Sequence, residues 1–294
     1  NNVKLVNCEL INAGKIKGTL PMGNICIESD NAYLKYPVKD VFIDNCICED
    51  AIKYNIFVSG VGGKNINISN VVCENSEIGV YVGSYGQYPE WIENMECKID
   101  NVNINGASIG IHTIAKTLKS LTNCIIKNCS TIGILGDSND GLKINNVKVF
   151  ENGAGVRLRD CKHVMISDCL IYNNANIETV SNAGNYGLRI EPTNEKSIVK
   201  LSNNFIYNDK DRVYKQFGLN VTKDCISRAD NNTFNHINGG AFYGVKGFGN
   251  AILDLDETWN MMTPSMNFSD DTGGGLLRIG NKKHHYSTTT PDLN

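Results

Sequence analysis

A six-residue pattern recurs nine times along this chain: an aliphatic residue, any residue, Asn, a small apolar residue, any residue, then another apolar one. It reads Leu5-x-Asn7-Cys8-x-Leu10, Ile43-x-Asn45-Cys46-x-Cys48, Ile68-x-Asn70-Val71-x-Cys73 and Ile99-x-Asn101-Val102-x-Ile104. Leu121-x-Asn123-Cys124-x-Ile126, Ile144-x-Asn146-Val147-x-Val149 and Ile166-x-Asp168-Cys169-x-Ile171 follow, the last with Asp in the Asn place. Leu201-x-Asn203-Asn204-x-Ile206 and Ala229-x-Asn231-Asn232-x-Phe234 close the series less regularly. Successive Asn positions lie 38, 25, 31, 22, 23, 22, 35 and 28 residues apart, so the unit is about 22 residues and the excess is inserted loop.

A second element follows most of these Asn by nine or ten residues: a Gly that opens a short alternating strand. Examples are Gly79-Val80-Tyr81-Val82, Gly110-Ile111-His112-Thr113, Gly133-Ile134-Leu135 and Gly155-Val156-Arg157-Leu158. Gly187-Leu188-Arg189-Ile190 and Gly218-Leu219-Asn220-Val221 continue the series after longer loops. The alternation has the period of a strand, and no unit is long enough for a helix as well. A unit this small buries its apolar face only by stacking on copies of itself, which predicts an all-β solenoid.

Composition agrees. Of 294 residues 41 are Asn, while 41% are hydrophobic and the net charge is −3, too apolar and too weakly charged for disorder. Lys and Arg (28) nearly balance Asp and Glu (31), so no nucleic-acid partner is expected. No apolar run is long enough to span a membrane, and no charged-then-apolar leader is visible. The eleven Cys are odd in number and lack zinc-ligand spacing, so they read as core filler of a protein folded in a reducing cytosol. No metal or cofactor is expected. The start in mid-pattern at Asn1 reads as a fragment or a processed product.

Over roughly residues 3–256 this pattern resembles the right-handed parallel β-helix of the pectin-lyase-like superfamily. The resemblance implies three strands per coil, with Asn at a sharp turn between two of them. Asn tolerates the left-handed backbone such a turn needs, and stacked amides bond from coil to coil. The expected fold is therefore a right-handed parallel β-helix of about nine coils over residues 1–256. Residues 257–294 are expected to form a cap or oligomerisation segment, with Leu276-Leu277-Arg278-Ile279 as a short apolar strand. Metal binding by His284 and His285 is a remote alternative there.

The resemblance also implies that substrate lies along the Gly-led strands and their flanking loops. Alternation sends the second and fourth residues after each Gly outward. The first outward column reads Tyr81, His112, Leu135, Arg157, Arg189, Asn220, and the second Gly83, Ile114, Asp137, Arg159, Glu191, Thr222. Arg forks suit carboxylate and phosphate groups, so this face fits an anionic polymer, although a salt-bridge ladder between stacked strands would look the same. Tyr81, Tyr85, Trp91, His112, Arg157, Arg159 and Arg189 are the expected substrate contacts. Tyr85 and Trp91, with Tyr88, sit on an insertion after Gly83 that would offer sugar rings a platform or pack on a neighbouring subunit. Asp137 and Glu191, two coils apart, are the expected catalytic carboxylates of an inverting glycosidase, ahead of Glu49, Asp50, Glu77 and Asp140.

Within the superfamily, the acidic pair, Gly-His-Gly and Arg-Ile-Lys of polygalacturonases are matched only by Glu49-Asp50, Ile78-Gly79 and Arg189-Ile190-Glu191. The acid cluster of calcium-dependent pectate lyases is not evident. The chain is closer in style to phage tailspike depolymerases, which share Asn-rich coils, free Cys and a β-rich tail. That likeness implies a homotrimer on a virion that cleaves a host cell-surface polysaccharide, by hydrolysis or β-elimination. A non-catalytic glycan-binding spike and a cellular pectinase or epimerase are the other readings.

Overall fold

The computed structural model describes residues 2–13, 22–28, 38–59, 63–83, 95–175, 185–191, 197–209, 211, 213–214, 216–221, 226–230, 232–237, 241–242, 245–246, 251–255, 276–279 and 282–285. Every regular element among them is a strand, and the coils stack in parallel as a right-handed β-helix. The Gly-led strands and their counterpart Tyr54–Ser59 form one sheet of nine: Gly23–Glu28, Tyr54–Ser59, Ile78–Gly83, Ile109–Ile114, Ile132–Asp137, Val156–Arg159, Tyr186–Glu191, Phe217–Val221 and Ala241–Phe242. This matches the expected number of coils. The strands on either side of the Asn corner, such as Val164–Ser167 and Leu170–Tyr172, form the other sheet. In two coils they run on as single strands through the corner, Lys64–Glu74 and Cys97–Asn105.

The corner is what the repeat encodes. Asn7, Asn45, Asn70, Asn101, Asn123, Asn146, Asp168 and Asn203 all hold left-handed backbone, with φ between 50 and 57°. Asn and Asp occupy this region at lower cost than other side chains, which is why they recur there. Three further left-handed columns escaped the sequence reading. One falls five residues later, at Asn12, Asp50, Asn75, Gly106, Asn128, Glu151 and Asn173. A second falls five residues earlier, at Asp40, Asn65, Gly141 and His163, and a third closes the Gly-led strand at Ala115, Ser138 and Asp160.

The corner amides do stack, but on the exposed surface and with interruptions. Asn45, Asn101 and Asn146 each donate from Nδ2 to the corner Asn one coil back, all at 2.7 Å. Asn70 and Asn123 instead donate to Asp44 and Asp100, again at 2.7 Å. Those carboxylates sit just before the corner and are stronger acceptors than an amide oxygen. The hydroxyls of Ser69 and Thr122 donate to them as well, and bonds from Ser69 and Asn70 hold the Asp44 carboxyl below its ordinary value.

Buried amides form separate columns inside the wall. Asn152 Nδ2 donates to Asn174 Oδ1 (2.8 Å), and Asn174 Nδ2 to Gln216 Oε1 (2.9 Å). The same side chains accept from the main-chain N–H of Cys129 and Asn152 and donate to the carbonyls of Ile126 and Val149. Asn204 and Asn232 replace the Cys or Val that follows the corner elsewhere and continue its column as a hydrogen-bonded pair (2.8 Å). Each satisfies main-chain groups that the corner leaves open.

Aliphatic side chains fill the interior together with Cys46, Cys48, Cys73, Cys97, Cys124, Cys129, Cys161 and Cys169. All are free thiols, and burial pushes Cys97, Cys124, Cys129, Cys161 and Cys169 up to about 12. Where a Gly opens the strand it permits close coil contact. A Cβ on Gly110 would stand 2.5 Å from the Gly133 carbonyl oxygen, and one on Gly79 would stand 2.7 Å from that of Gly110. At the far end Leu276–Ile279 pairs in parallel with Ala251–Leu255 and then turns back against Lys282–His285. The apolar strand in the tail thus adds to the sheet of the last coil.

Candidate functional site

Pairing of the Gly-led strands settles which residues are neighbours. Phe57, Tyr81, His112, Leu135, Arg157, Arg189 and Asn220 are successive partners in one column. Ile114, Asp137, Arg159 and Glu191 are successive partners in the next. Both columns have the order read from the sequence. Their inward neighbours, such as Ile111, Ile134, Val156, Leu158, Leu188 and Ile190, belong to the core.

The charged part of this face is a paired network, not a row of free groups. Arg159 clamps Asp137 through Nε and Nη2, the latter at 2.6 Å from Oδ2. His112 Nε2 lies 3.2 Å from the same Oδ2. One coil on, Arg157 binds Glu191 Oε1 through Nε (2.6 Å) and Nη2, while Arg189 Nε lies 2.6 Å from Oε2. The Arg189 guanidinium also lies 5.7 Å from the centroid of the Tyr186 ring. The contacts are diagonal as well as along the columns, because Arg side chains reach over one coil spacing.

This pairing sets the charge environment of the two carboxylates. Partial burial pushes the Asp137 carboxyl up, but hydrogen bonds from His112 and Arg159 and the Arg159 charge outweigh it and hold it below its ordinary value. A general acid needs the opposite shift, so the lowered Asp137 carboxyl does not fit the acid half of the expected Asp137 and Glu191 pair. Glu191 is buried, with 8% of its side chain exposed, and is gripped by two guanidiniums. The same Asp137 bonds push the Arg159 guanidinium up. Arg157 and Arg159 each spend Nε and Nη2 on a carboxylate, which leaves the Nη1 edge of each half-exposed fork outside the ion pair. Each carboxylate thereby fixes the arginine side chains paired with it.

Toward the N-terminal coils the face turns aromatic and closes. Tyr81 is packed, not open: it is 8% exposed, stacks on Phe57 at 5.1 Å and meets His112 edge-on at 5.4 Å. Tyr54, Phe57, Ile78 and Tyr81 make an apolar cluster on this outer side. Tyr54 and Phe57 were missed because their strand carries no opening Gly to set its phase. Tyr85 and Trp91, with Tyr88, lie outside the described residues, as does Thr222. The other carboxylates considered are not brought to this network. Asp50 accepts from Asn75 at a left-handed corner, and Asp140 pairs with His163 (2.8 Å) and Lys116 (3.7 Å) beyond the strand end. His163 holds the Asp140 carboxyl below its ordinary value. Among the described residues no group of three or more His, Cys, Asp or Glu side chains could hold a metal ion.

Comparisons with known proteins follow the fold. No curated protein sequence matches the chain. Among solved structures it is similar to pectate lyase Pel9A at 10% identity and a TM-score of 0.38, over 78% of this chain and 55% of that enzyme. Residues 90–255, more than half of the sequence, match the family described as the right-handed beta helix region. The chain belongs to the right-handed β-helix family.

Proposed function

We propose that the chain binds an anionic polysaccharide along its Gly-led face and cleaves it, as a homotrimeric depolymerase of the phage tailspike kind. The observation that carries this reading is the run of Arg157, Arg159 and Arg189 on two adjacent coils, the first two forks bonded to Glu191 and Asp137 and the third within ion-pair distance of Glu191. Fixed forks lose little conformational freedom on meeting carboxylate or phosphate groups, and bidentate geometry favours them over lysines. Their partial burial strengthens the contact relative to open water. His112 stands at the edge of the cluster, beside Asp137, and supplies a side chain of the kind that transfers protons in bond cleavage.

Incubation with a panel of bacterial surface polysaccharides tests this. Reducing ends or unsaturated uronate ends should be released from an anionic member. Alanine at Arg157 should weaken binding to that polymer about tenfold or more, the loss of a charge-assisted bond. Retained binding with no cleavage of any polymer would favour a glycan-binding spike, the reading to which full pairing of Asp137 and Glu191 also points.

A further inference from the structure

We propose that His112 is the proton acceptor of the cleavage step, with Asp137 as its positioning residue. This inference rests on the depolymerase reading and names its reacting group, in place of the Asp137 and Glu191 pair.

Geometry assigns the tautomer. His112 Nε2 faces Asp137 Oδ2 at 3.2 Å, and Arg159 binds both oxygens of that carboxylate. An ionised, clamped carboxylate only accepts, so the proton between the two sits on Nε2 and the lone pair is left on Nδ1. Among the described residues Nδ1 has no hydrogen-bond partner, and the side chain is 16% exposed. The groups packed on His112 from the neighbouring strands are Tyr81, edge-on at 5.4 Å, and Asp137, with Arg159 beyond it. Tyr81 fixes one side of the ring and Asp137 the other. The imidazole is thus held in one orientation.

A uronate polymer suits this arrangement. Nδ1 takes the proton from C5, the carbon that bears the carboxylate. The C5–H electron pair becomes the C4–C5 double bond, and the C4–O bond breaks with its electrons on the departing sugar oxygen. The imidazolium returns its proton to that oxygen, so the step balances without water or a further reactant. Guanidinium edges of Arg157 and Arg159 would hold the uronate carboxylate and stabilise the charge that builds on it as the proton leaves.

The test compares wild type with His112→Gln, His112→Ala and Asp137→Asn on polygalacturonate, alginate and hyaluronate. Product is read by its ultraviolet absorbance, affinity by binding to the same polymer, and folding by melting temperature. The expected result for His112→Gln is a loss of about 10²-fold or more in turnover at unchanged affinity. Free imidazole should restore part of the activity of His112→Ala. Asp137→Asn should lower turnover about tenfold or more at unchanged affinity, because an amide can turn its N–H toward Nε2 and leave the proton on Nδ1. A purely structural role for Asp137 would lower the melting temperature and leave the turnover of the folded variant in place. Near-normal turnover by folded His112→Gln would overturn the role of His112 and leave the depolymerase intact. Wild-type release of reducing ends without absorbance would overturn the elimination alone, as would cleavage confined to polymers without uronate, and no product from these three or from the panel of bacterial surface polysaccharides would overturn both.

Discussion

Replacing Asn152 by Ala tests whether the inner amide columns or the surface corners hold the coils together. Asn152 is fully buried. Its Oδ1 accepts the Cys129 N–H at 2.8 Å, and its Nδ2 donates to Asn174 Oδ1 at 2.8 Å and to the Ile126 carbonyl at 3.2 Å. Truncation leaves the Cys129 N–H without an acceptor and takes a donor from two buried oxygens. An orphaned buried group costs about 1–3 kcal/mol, so the expected loss is about 2–4 kcal/mol. Asn146 differs: it is exposed, its φ is 52°, and its amide makes one surface bond to Asn123. Alanine there costs about 1–2 kcal/mol, mostly for left-handed backbone. Glycine at 146 adopts that backbone freely and should recover most of the loss. Glycine at 152 restores no bond and should be no better than alanine. Urea unfolding followed by far-ultraviolet circular dichroism, with unchanged denaturant slopes, reads both series. The same order of stability for Ala and Gly at the two positions would refute the distinction.

The acid limb of stability should carry the signature of Asp137. Its folded value lies below the ordinary 3.8, so its contribution is fully present above that value and is lost as pH falls through the folded one. Melting curves of Asp137→Asn should therefore fall less steeply than wild type below about pH 4, and parallel curves would exclude the ion pair as a source of stability. The proposed homotrimer is checked by light scattering on the intact protein, where a monomeric mass at micromolar concentration would end the proposal.

What the sequence made legible is what depends on a single coil. The corner residues announce themselves because left-handed backbone restricts the choice of side chain, and Asn70, Asn101 and Asn146 satisfy it in register. The order of the outward columns followed from counting forward from each Gly. What stayed hidden depends on two coils at once. Arg157 reaches diagonally to Glu191 and Arg159 back to Asp137, choices set by side-chain lean and not by spacing. Asn204 looked like an irregularity of the repeat until its bonds to Cys169 N–H and Asn232 showed it extending a buried column. Tyr81 counted as outward, and it is, but Phe57 on the preceding coil and His112 on the next enclose it.

The corners at Asn123, Asn146 and Asp168 are 23 and 22 residues apart and share one backbone conformation. The chain there is a tape with a uniform pitch, and its functional surface is written one line per coil. Excising residues 124–146 would splice Asn123 to Val147 and preserve the pattern across the join. The line holding Leu135 and Asp137 would vanish, and His112 would stand directly beside Arg157, with Ile114 beside Arg159. Whole-line deletion or duplication thus rewrites which chemistries adjoin while leaving every surviving residue in its own local environment along the strand. Recombination at the corners is a route to new surfaces that point substitution reaches only through several simultaneous changes.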